Sequence, residues 1–234
     1  MVIGSGLLAR AFASFKDDDR VLVFASGVSN SSSATEANYA RERALLMEQR
    51  DTHARLVYFS TCSLFDPALK DSEYIGHKRR MEDLVREYFE DHLILRLPNV
   101  VGRTPNPHTL CNFFRDRILS GEPFNVQTNA CRYLIDVEEV RSACSPILSD
   151  GSYGGSTINV CFDMPAPLPE LVRVMEHLLG KMATARPVDA GSCYEVDNSD
   201  FKRIWTSTGA SWPDPGHWAS TLARYYGGSS ATTG

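Results

Sequence analysis

The sequence predicts an α/β protein built on a parallel β-sheet, and three observations lead to this fold class. Over the first two thirds of the chain, short apolar runs of strand length alternate with longer amphipathic stretches of helical spacing. The apolar runs are nearly continuous, as expected for strands that are covered on both faces. The first run leads directly into a glycine-rich turn and a helix. This order is typical of parallel β-α-β units.

The individual elements follow from local patterns. Over the first hundred residues we expect strands at Met1–Ile3, Val21–Ala25, Leu56–Ser60 and Leu93–Leu97, a polar loop at Ser26–Ser33, and helices at Leu7–Phe15, Thr35–Arg50 and Glu73–Glu90. Pro98 ends the last of these strands, and the sequence that follows is rich in turns. Beyond it we expect helices at Leu110–Ser120 and about Glu170–Leu179, and strands at Tyr133–Val137 and Thr157–Val160.

These elements divide into a sheet-based core and a smaller, less regular part. We expect residues 1–104 to form the core, completed by about 131–162. Residues 105–130 and 163–226 are expected to form a substrate-binding part, and the small polar residues 227–234 a flexible tail.

Composition agrees with one globular domain and a small addition to it. The chain has 234 residues, of which 43% are hydrophobic and 23% charged, and its net charge is −5. A chain of this length buries roughly three quarters of its unfolded surface, so it needs no disulfide or metal in order to fold. The acidic balance disfavours nucleic acid and anionic membranes as partners. No apolar run is long enough for a membrane span.

The six cysteines are spread singly along the chain, at Cys62, Cys111, Cys131, Cys144, Cys161 and Cys193. They form no C-x-x-C pair and have no nearby histidine at zinc-ligand spacing, so no metal site is predicted. Single cysteines of this kind are typical of free thiols in a reducing compartment. Because the N-terminus lacks the pattern of a signal peptide, we expect a cytoplasmic protein.

The segment Gly4-Ser5-Gly6-Leu7-Leu8-Ala9 follows an apolar strand and opens a helix. Glycines at such a turn let a pyrophosphate approach backbone N–H groups at the positive end of the helix. Glycine-rich turns between a strand and a helix are also common where no ligand binds. Taken alone, this segment leaves both interpretations open.

Tyr74 and Lys78 lie four residues apart, on one face of a predicted helix. A free tyrosine has a pKa of about 10, and a fixed cation favours its ionised form, so the pair suits acid–base chemistry. Thr61 stands at the end of the preceding strand, where ligands collect in a doubly wound sheet. A solvated helix face and a threonine that caps a turn are the alternative interpretations. His77, inside the motif, is expected to be a variable helix position.

Six motifs in order resemble the extended branch of the short-chain dehydrogenase/reductase family, the NAD-dependent epimerases and dehydratases. They are GSGLLA, VFASGVS, YFSTCSLFD, YIGHK, LRLPNVVG and RYLIDVEEV, and together they cover about residues 1–160. Each motif is short, but the ordered set is specific. The resemblance implies a Rossmann-like doubly wound parallel sheet, shortened in this chain, with a small C-terminal substrate-binding part. It also implies NAD or NADP as the cofactor.

The resemblance implies a role for individual residues as well. Tyr74 would be the general acid/base, Lys78 its partner and a ligand of the nicotinamide ribose, and Thr61 the residue that binds the substrate oxygen. Asn99 and Arg132 would also contact the substrate, with the arginine at the diphosphate of a nucleotide sugar. The implied cofactor-binding residues are Gly4, Ser5, Gly6, Leu7, Leu8, Ala25, Ser26, Gly27, Tyr74, Lys78 and Pro98.

The chain departs from the family pattern in three places. The stretch between the first helix and Val21 is too short for the usual second βα unit, whose acidic residue holds the adenosine ribose. The sequence therefore selects neither NAD nor NADP. The spacing from Thr61 to Tyr74 is short. Cys62 and Ser63 replace the Asp-Glu pair of the family's 4,6-dehydratases, which argues against the elimination of water.

Two functions of different classes remain open. The first is an NAD(P)-dependent oxidoreductase or epimerase acting on a nucleotide-linked sugar, with carbonyl reduction slightly favoured and a place in polysaccharide or secondary-metabolite sugar synthesis implied by the family alone. The second is a dinucleotide-binding sensor or scaffold without chemistry, because a fold does not determine a function. Family members commonly dimerise through helices that correspond here to about 35–50 and 73–90, so we expect a homodimer.

Overall fold

The computed structural model describes residues 1–28 and 34–228. Its strands are β1 (Val2–Ile3), β2 (Val21–Phe24), β3 (Arg55–Thr61), β4 (His92–Leu97), β5 (Asn99–Val101), β6 (Phe124–Gln127), β7 (Cys131–Arg132), β8 (Leu134–Asp136), β9 (Ser156–Asn159), β10 (Ala166–Pro167) and β11 (Ala185–Val188). Its helices are α1 (Leu7–Ala11), α2 (Glu36–Met47), α3 (Glu73–Tyr88), α4 (Leu110–Ser120), α5 (Val137–Leu148), α6 (Leu168–Leu179), α7 (Ser199–Ser207) and α8 (His217–Tyr226). Most of the expected loop over 26–33 and of the expected tail over 227–234 lies outside the described residues.

Five strands form one parallel sheet in the order β1-β2-β3-β4-β9. β2 and β3 are buried along their whole length, because helices cover both faces of the sheet. One face packs against α2 and α3 through Leu46 and Met81, and the other packs against α1 and α5 through Phe12 and Val140. The predicted fold class, a Rossmann-like parallel sheet between helices, is confirmed.

The helix α1 lies on the opposite face of the sheet from α2 and α3. Phe12, at the end of α1, packs on the same side as Val23 and Phe59, whereas α2 packs on the side of Leu22. The connections through α1, α2 and α3 all step in the same direction along the sheet, so the face that each helix covers determines the hand of its crossover. The β1-α1-β2 crossover therefore has the opposite hand to the two that follow it, although nearly all such crossovers share one hand.

This reversed crossover has a simple origin in the strand order of dinucleotide-binding sheets. In the order 3-2-1-4-5-6, the first helix leads to a strand on the far side of strand one, and the later strands lie on the near side. In the described residues β1 is the edge of the sheet and pairs only with β2. The structure thus agrees with the sequence in having no second βα unit beyond β1.

Most expected elements differ from the structure by a few residues at one end or both, and two of these differences have a local cause. The α-helix that was expected over Leu7–Phe15 ends at Ala11, and a 3₁₀ turn over Ala13–Phe15 continues it. The strand that was expected over Tyr133–Val137 stops at Asp136, because Asp136 and Glu139 form a capping box that starts α5. That helix of 12 residues was not predicted, since its first residue continues an apolar run that has the length of a strand.

A second apolar cluster lies apart from the two faces of the sheet. It joins α4, α6 and α8 through Phe114, Leu171 and Leu222. Phe201 and Trp205 of α7 pack instead with the sheet. The domain boundaries proposed from sequence remain a prediction.

The expectation of six free thiols is wrong for two of them. Cys131 and Cys193 form a disulfide across a sequence separation of 62 residues, with their Cα atoms 4.7 Å apart. Next to this bond, the backbone N–H of Cys131 donates to the carbonyl of Ser192, so β7 lies beside a loop distant in sequence. The other four cysteines are free and buried. The expected cytoplasmic location rested partly on free thiols, and it stays a prediction.

No helix among the described residues combines the length and the apolar character that crossing a membrane requires.

Candidate active site

The residues singled out from the sequence meet at one edge of the sheet. Gly4 follows β1, Ala25 follows β2, Thr61 ends β3 and Pro98 follows β4. The strands are parallel, so these four positions lie at neighbouring carboxyl ends, where ligands of open α/β sheets bind.

The glycine segment packs against the end of β2 by direct backbone contact. Gly4 has φ of +125°, and a Cβ atom there would lie 2.4 Å from the carbonyl oxygen of Ala25, so only glycine fits. A Cβ atom at Gly6 would meet nothing within 4 Å, and Gly4, Ser5 and Gly6 are all exposed. The backbone of this segment is therefore open on its outer side, as a pyrophosphate site requires.

Leu7 and Leu8 turn their side chains towards the protein. A Cβ atom at Gly102 would approach the Cδ1 atom of Leu7 to 2.9 Å, and Leu8 packs against the sheet cluster. Only their backbone groups remain for the cofactor role that the resemblance implies. Beside them, the Arg10 guanidinium donates to the carbonyls of Ser5 and Arg103.

Tyr74 and Thr61 are brought together by the start of α3 and the end of β3. Ser72 caps α3 by accepting from the backbone N–H of Ile75, which places Tyr74 in the first turn. Burial raises the pKa of Tyr74 to about 12, although a hydrogen bond from Thr61 lowers it, while the nearby charge of Glu42 raises it further. Thr61 also accepts from the backbone N–H of Ser63 at 3.0 Å, so the capping interpretation is confirmed, and its role at a substrate oxygen stays a prediction.

The Lys78 ammonium is held by two buried side chains, Glu42 and Tyr58. Its Nζ atom donates to Glu42 Oε1 at 3.0 Å and to the hydroxyl of Tyr58 at 3.1 Å. His77 Nε2 lies 2.9 Å from the second oxygen of the same carboxylate, and the His77 ring stacks on Tyr39. The side chain of His77 is wholly buried in this network, and the expectation that His77 is a variable helix position stays a prediction.

Sequence reasoning missed Glu42 and Tyr58. One signal was available: Tyr39, Glu42 and Leu46 lie three and four residues apart, and all three are buried on the inner face of α2. A carboxylate on the apolar face of a helix needs a buried partner of opposite charge. The sequence offers Lys78 as that partner only once the fold is known.

Asn99 and Arg132, which the resemblance places at the substrate, are both held by the protein. The Asn99 amide donates to the carbonyl of Tyr133 at 3.1 Å. The Arg132 guanidinium donates to the carbonyl of Cys131 at 2.7 Å and lies 3.5 Å from the carboxylate of Asp66. Asp66 is a third residue that sequence reasoning missed, and it is 2% exposed.

On the opposite side, Ser26 and Gly27 follow β2 and are half-buried. The Arg41 guanidinium donates to the Ser26 hydroxyl at 3.2 Å and to its carbonyl at 3.1 Å. Arg10 and Arg41 therefore place two exposed cations near the outer end of the candidate cofactor crevice. No sequence signal beyond their charge distinguished them.

Similar solved structures include epimerases and dehydratases named for nucleotide-linked sugars. The chain superimposes on a UDP-N-acetylglucosamine 4-epimerase from Methanobrevibacter ruminantium with a TM-score of 0.65 and 18% identity, over 94% of this chain and 79% of that one. It superimposes on DesIV, a dTDP-glucose 4,6-dehydratase from Streptomyces venezuelae with NAD bound, with a TM-score of 0.70 and 18% identity, over 94% of this chain and 76% of that one. For a UDP-glucose 4-epimerase from Thermus thermophilus in complex with NAD, the TM-score is 0.61 and the identity 17%, over 89% of this chain and 78% of that one.

The chain has the fold of the extended short-chain dehydrogenases/reductases. No protein-family model and no curated protein matches the sequence. The resemblance that the motifs indicate is confirmed at the level of this fold, at identities below one in five. The structure places Thr61, Tyr74 and Lys78 at the same edge of the sheet as the glycine segment.

Proposed function

We propose that the protein is an NAD(P)-dependent oxidoreductase or epimerase that acts on a nucleotide-linked sugar, and that its main reaction is carbonyl reduction. The placement of Thr61 at the end of β3 and of Tyr74 in the first turn of α3, with Lys78 one turn further along that helix, carries this proposal. A hydroxyl and a phenol at the same edge of the sheet can both reach one carbonyl oxygen. A sensor needs neither group.

The residues fit one end of a dinucleotide better than the other. The open backbone at Gly6 suits the pyrophosphate, and Tyr74, Lys78 and Pro98 line the strand ends where the nicotinamide ribose would lie. The adenosine end has no strand beyond β1 in the described residues. We therefore propose that Ala25, Ser26 and Gly27 line the near side of the adenosine, and that its far side is open.

The chain's own groups hold the substrate oxygen and move a proton to it. Thr61 donates a hydrogen bond to the carbonyl oxygen, which orients the carbonyl and favours negative charge on it. Tyr74 then transfers its phenolic proton to that oxygen. Because burial raises the pKa of Tyr74 to about 12, the phenol is protonated at neutral pH and ready to donate. A bound reduced nicotinamide supplies the hydride.

Arg132 supports the choice of a nucleotide-linked sugar. Its planar guanidinium suits the oxygens of a diphosphate, and its side chain is 20% exposed. The epimerases with the same fold were solved with UDP-linked ligands or with NAD. We extend this ligand class, a sugar joined to a nucleoside diphosphate, to the present chain.

Dehydration is left out of the proposal although DesIV shares the fold. Cys62 stands where an acid would be needed, is 0% exposed, and has its Sγ atom 3.2 Å from the carbonyl oxygen of Arg96. A buried thiol in that contact is not a general acid for a sugar hydroxyl.

The test is a turnover assay with NADH or NADPH and a panel of keto-sugar nucleotides, followed by nicotinamide absorbance. Tyr74→Phe should lower kcat by about two orders of magnitude or more, because the proton donor is lost, and should leave dinucleotide binding nearly unchanged. Tyr88→Phe, on the exposed side of the same helix, is the matched control. Full activity of Tyr74→Phe would refute the mechanism.

The second candidate is a dinucleotide-binding sensor or scaffold, and the sheet that ends at β1 favours it. In that case calorimetry would detect binding of NADH, and no sugar nucleotide in the panel would be turned over.

We also propose a homodimer through α2 and α3. Light scattering that gives a mass of 26.0 kDa at micromolar concentration would exclude it.

A further inference from the structure

Glu42 is a completely buried carboxylate with four hydrogen-bond partners. Its Oε2 atom accepts from the backbone N–H of Val28 at 2.7 Å and lies 2.9 Å from His77 Nε2. Its Oε1 atom accepts from the hydroxyl of Tyr58 at 2.7 Å and from Lys78 Nζ at 3.0 Å. Such a cluster retains a charge in the interior only because every lone pair has a partner.

The partner charge belongs to a residue that the proposed function uses. Lys78 is 2% exposed, and its ammonium donates to Glu42 and to Tyr58. An ammonium has three protons to donate, so one remains for a bound ribose. The two hydrogen bonds fix the direction of that third proton.

The backbone of Gly27 packs directly against the Glu42–Lys78 ion pair. A Cβ atom at this position would lie 3.0 Å from Lys78 Nζ and 3.1 Å from Glu42 Oε1. The backbone after β2 therefore runs directly over the ion pair, and the next N–H, that of Val28, donates into it. The segment expected on the adenosine side and the lysine expected at the nicotinamide ribose are joined through one carboxylate.

We propose that Glu42 is a positioning residue: its carboxylate anchors the Lys78 ammonium and neutralises it, so that Lys78 reaches a bound nicotinamide ribose from a fixed position without acting as a free cation on Tyr74. This inference rests on the proposed function for the role of Lys78. The anchoring itself is a property of the folded chain.

Burial and the charge of Glu42 together favour the protonated state of Tyr74. Burial, the largest effect, raises the pKa of Tyr74 to about 12, and the charge of Glu42 raises it while the hydrogen bond from Thr61 lowers it. The titratable groups around Glu42 are Lys78 and His77 from α3 and Tyr58 from β3. Glu82 of α3 and Arg96 of β4 form a separate ion pair nearby. A site arranged in this way favours donation of a proton at neutral pH over its removal.

The first experiment measures the ionisation of Tyr74 without turnover. The phenolate absorbance is titrated in the protein and in its Tyr74→Phe variant, and their difference isolates Tyr74. The same pair is then titrated in a Glu42→Gln background. We expect the midpoint to fall by up to about one pH unit, because a nearby anion is lost while Lys78 keeps its charge. An unchanged midpoint in folded Glu42→Gln would overturn the proposal.

Glu82→Gln is the matched control. Glu82 is also a buried carboxylate, 2% exposed, but it pairs with Arg96 and Arg86 rather than with Lys78. Its loss should disturb folding to a similar degree and leave the Tyr74 midpoint in place. An equal shift in both variants would show a general effect of buried charge and contradict a specific role for Glu42.

Glu42→Asp covers the case in which Glu42→Gln does not fold. It keeps the charge but draws the carboxylate back by about one methylene. The proposal then expects a KM for the reduced dinucleotide that rises about fivefold or more, with kcat less affected, because Lys78 loses its anchor. Unchanged KM and kcat would overturn the proposal.

The two levels of inference can fail separately. A shifted Tyr74 midpoint with no hydride transfer to any keto-sugar nucleotide would refute the proposed function and retain the anchoring by Glu42. Hydride transfer that depends on Tyr74 but whose pH profile and KM are the same in Glu42→Gln would retain the function and refute the role of Glu42.

Discussion

The Arg132 guanidinium lies 3.5 Å from the Asp66 carboxylate, and the same carboxylate accepts from the hydroxyl of Ser192 at 3.1 Å and from the backbone N–H of Ala68 at 2.9 Å. One buried side chain thus links the turn after β3, strand β7 and the loop that follows β11. Asp66 orients the arginine that we assign to the substrate diphosphate.

Arg132→Ala should raise the KM for a nucleotide sugar by roughly 10- to 100-fold, since a hydrogen bond between charged groups contributes about 1.5–3 kcal/mol. The KM for the reduced dinucleotide should stay the same. Asp66→Asn, which keeps the size but removes the charge, should show a smaller rise. Arg173→Ala, on the exposed surface of α6, is the control. Equal effects on both KM values would place Arg132 elsewhere in the mechanism.

The Glu42 cluster predicts a specific sensitivity to acid. Burial alone would raise the pKa of Glu42, but Lys78 and the hydrogen bonds from His77, Val28 and Tyr58 outweigh it and lower the pKa from 4.5 to about 2. A folded-state pKa below the unfolded value contributes stability above about pH 4.5, and this contribution is lost as the pH falls towards 2. The free energy of unfolding, measured in urea from pH 6 to pH 3, should fall over this range. The slope should be smaller in Glu42→Gln, and identical slopes would contradict the assignment.

The disulfide between Cys131 and Cys193 predicts a dependence on reductant. Closing a loop of this length contributes up to about 4 kcal/mol in the chain-entropy description, and Cys193 is exposed to a reductant. Urea unfolding with a phosphine reductant should show lower stability than without it. A double variant, Cys131→Ala with Cys193→Ala, should show no such difference. Thiol titration of the unfolded, unreduced protein should count four free cysteines; a count of six would disprove the bond.

The sheet edge at β1 predicts weak selection between the two dinucleotides. With no acidic residue on a second strand to hold the adenosine ribose, the kcat/KM values for NADH and NADPH should agree within about fivefold. Reduced nicotinamide mononucleotide, which lacks the adenosine, should retain measurable turnover. A preference above about 100-fold for NADPH that disappears in Arg41→Ala would instead assign the 2′-phosphate to Arg41.

The strands of the sheet could be predicted from the sequence because each has a clear local pattern. β2, β3 and β4 are continuous apolar runs with both faces buried, and such runs have few alternatives between helices. α4 begins and ends where it was expected, since Thr109 caps its start and Gly121 adopts a left-handed conformation at its end. The start of α5 was missed because Val137 continues the apolar run of the strand before it, although Asp136 caps a helix that begins at Val137.

In the candidate site, too, the residues with local sequence patterns were predicted and those with distant partners were not. Thr61, Tyr74 and Lys78 were predicted from short spacings, which survive in the chain as local patterns. Glu42 and Asp66 were not, because their partners are 36 and 66 residues away. A buried ion pair is a property of two distant elements, and neither element shows it alone.

The reversed crossover at β1 has a consequence for how the molecule assembles. Strands β2, β3, β4 and β9 make a continuous sheet without β1, whose only partner among the described residues is β2, through two residues. The first twenty residues thus form an outer flap on this sheet, with Ala9 and Phe12 as its buried side chains. The segment that we assign to the pyrophosphate belongs to this flap, so a ligand bound there would stabilise the packing of the flap on the rest of the sheet.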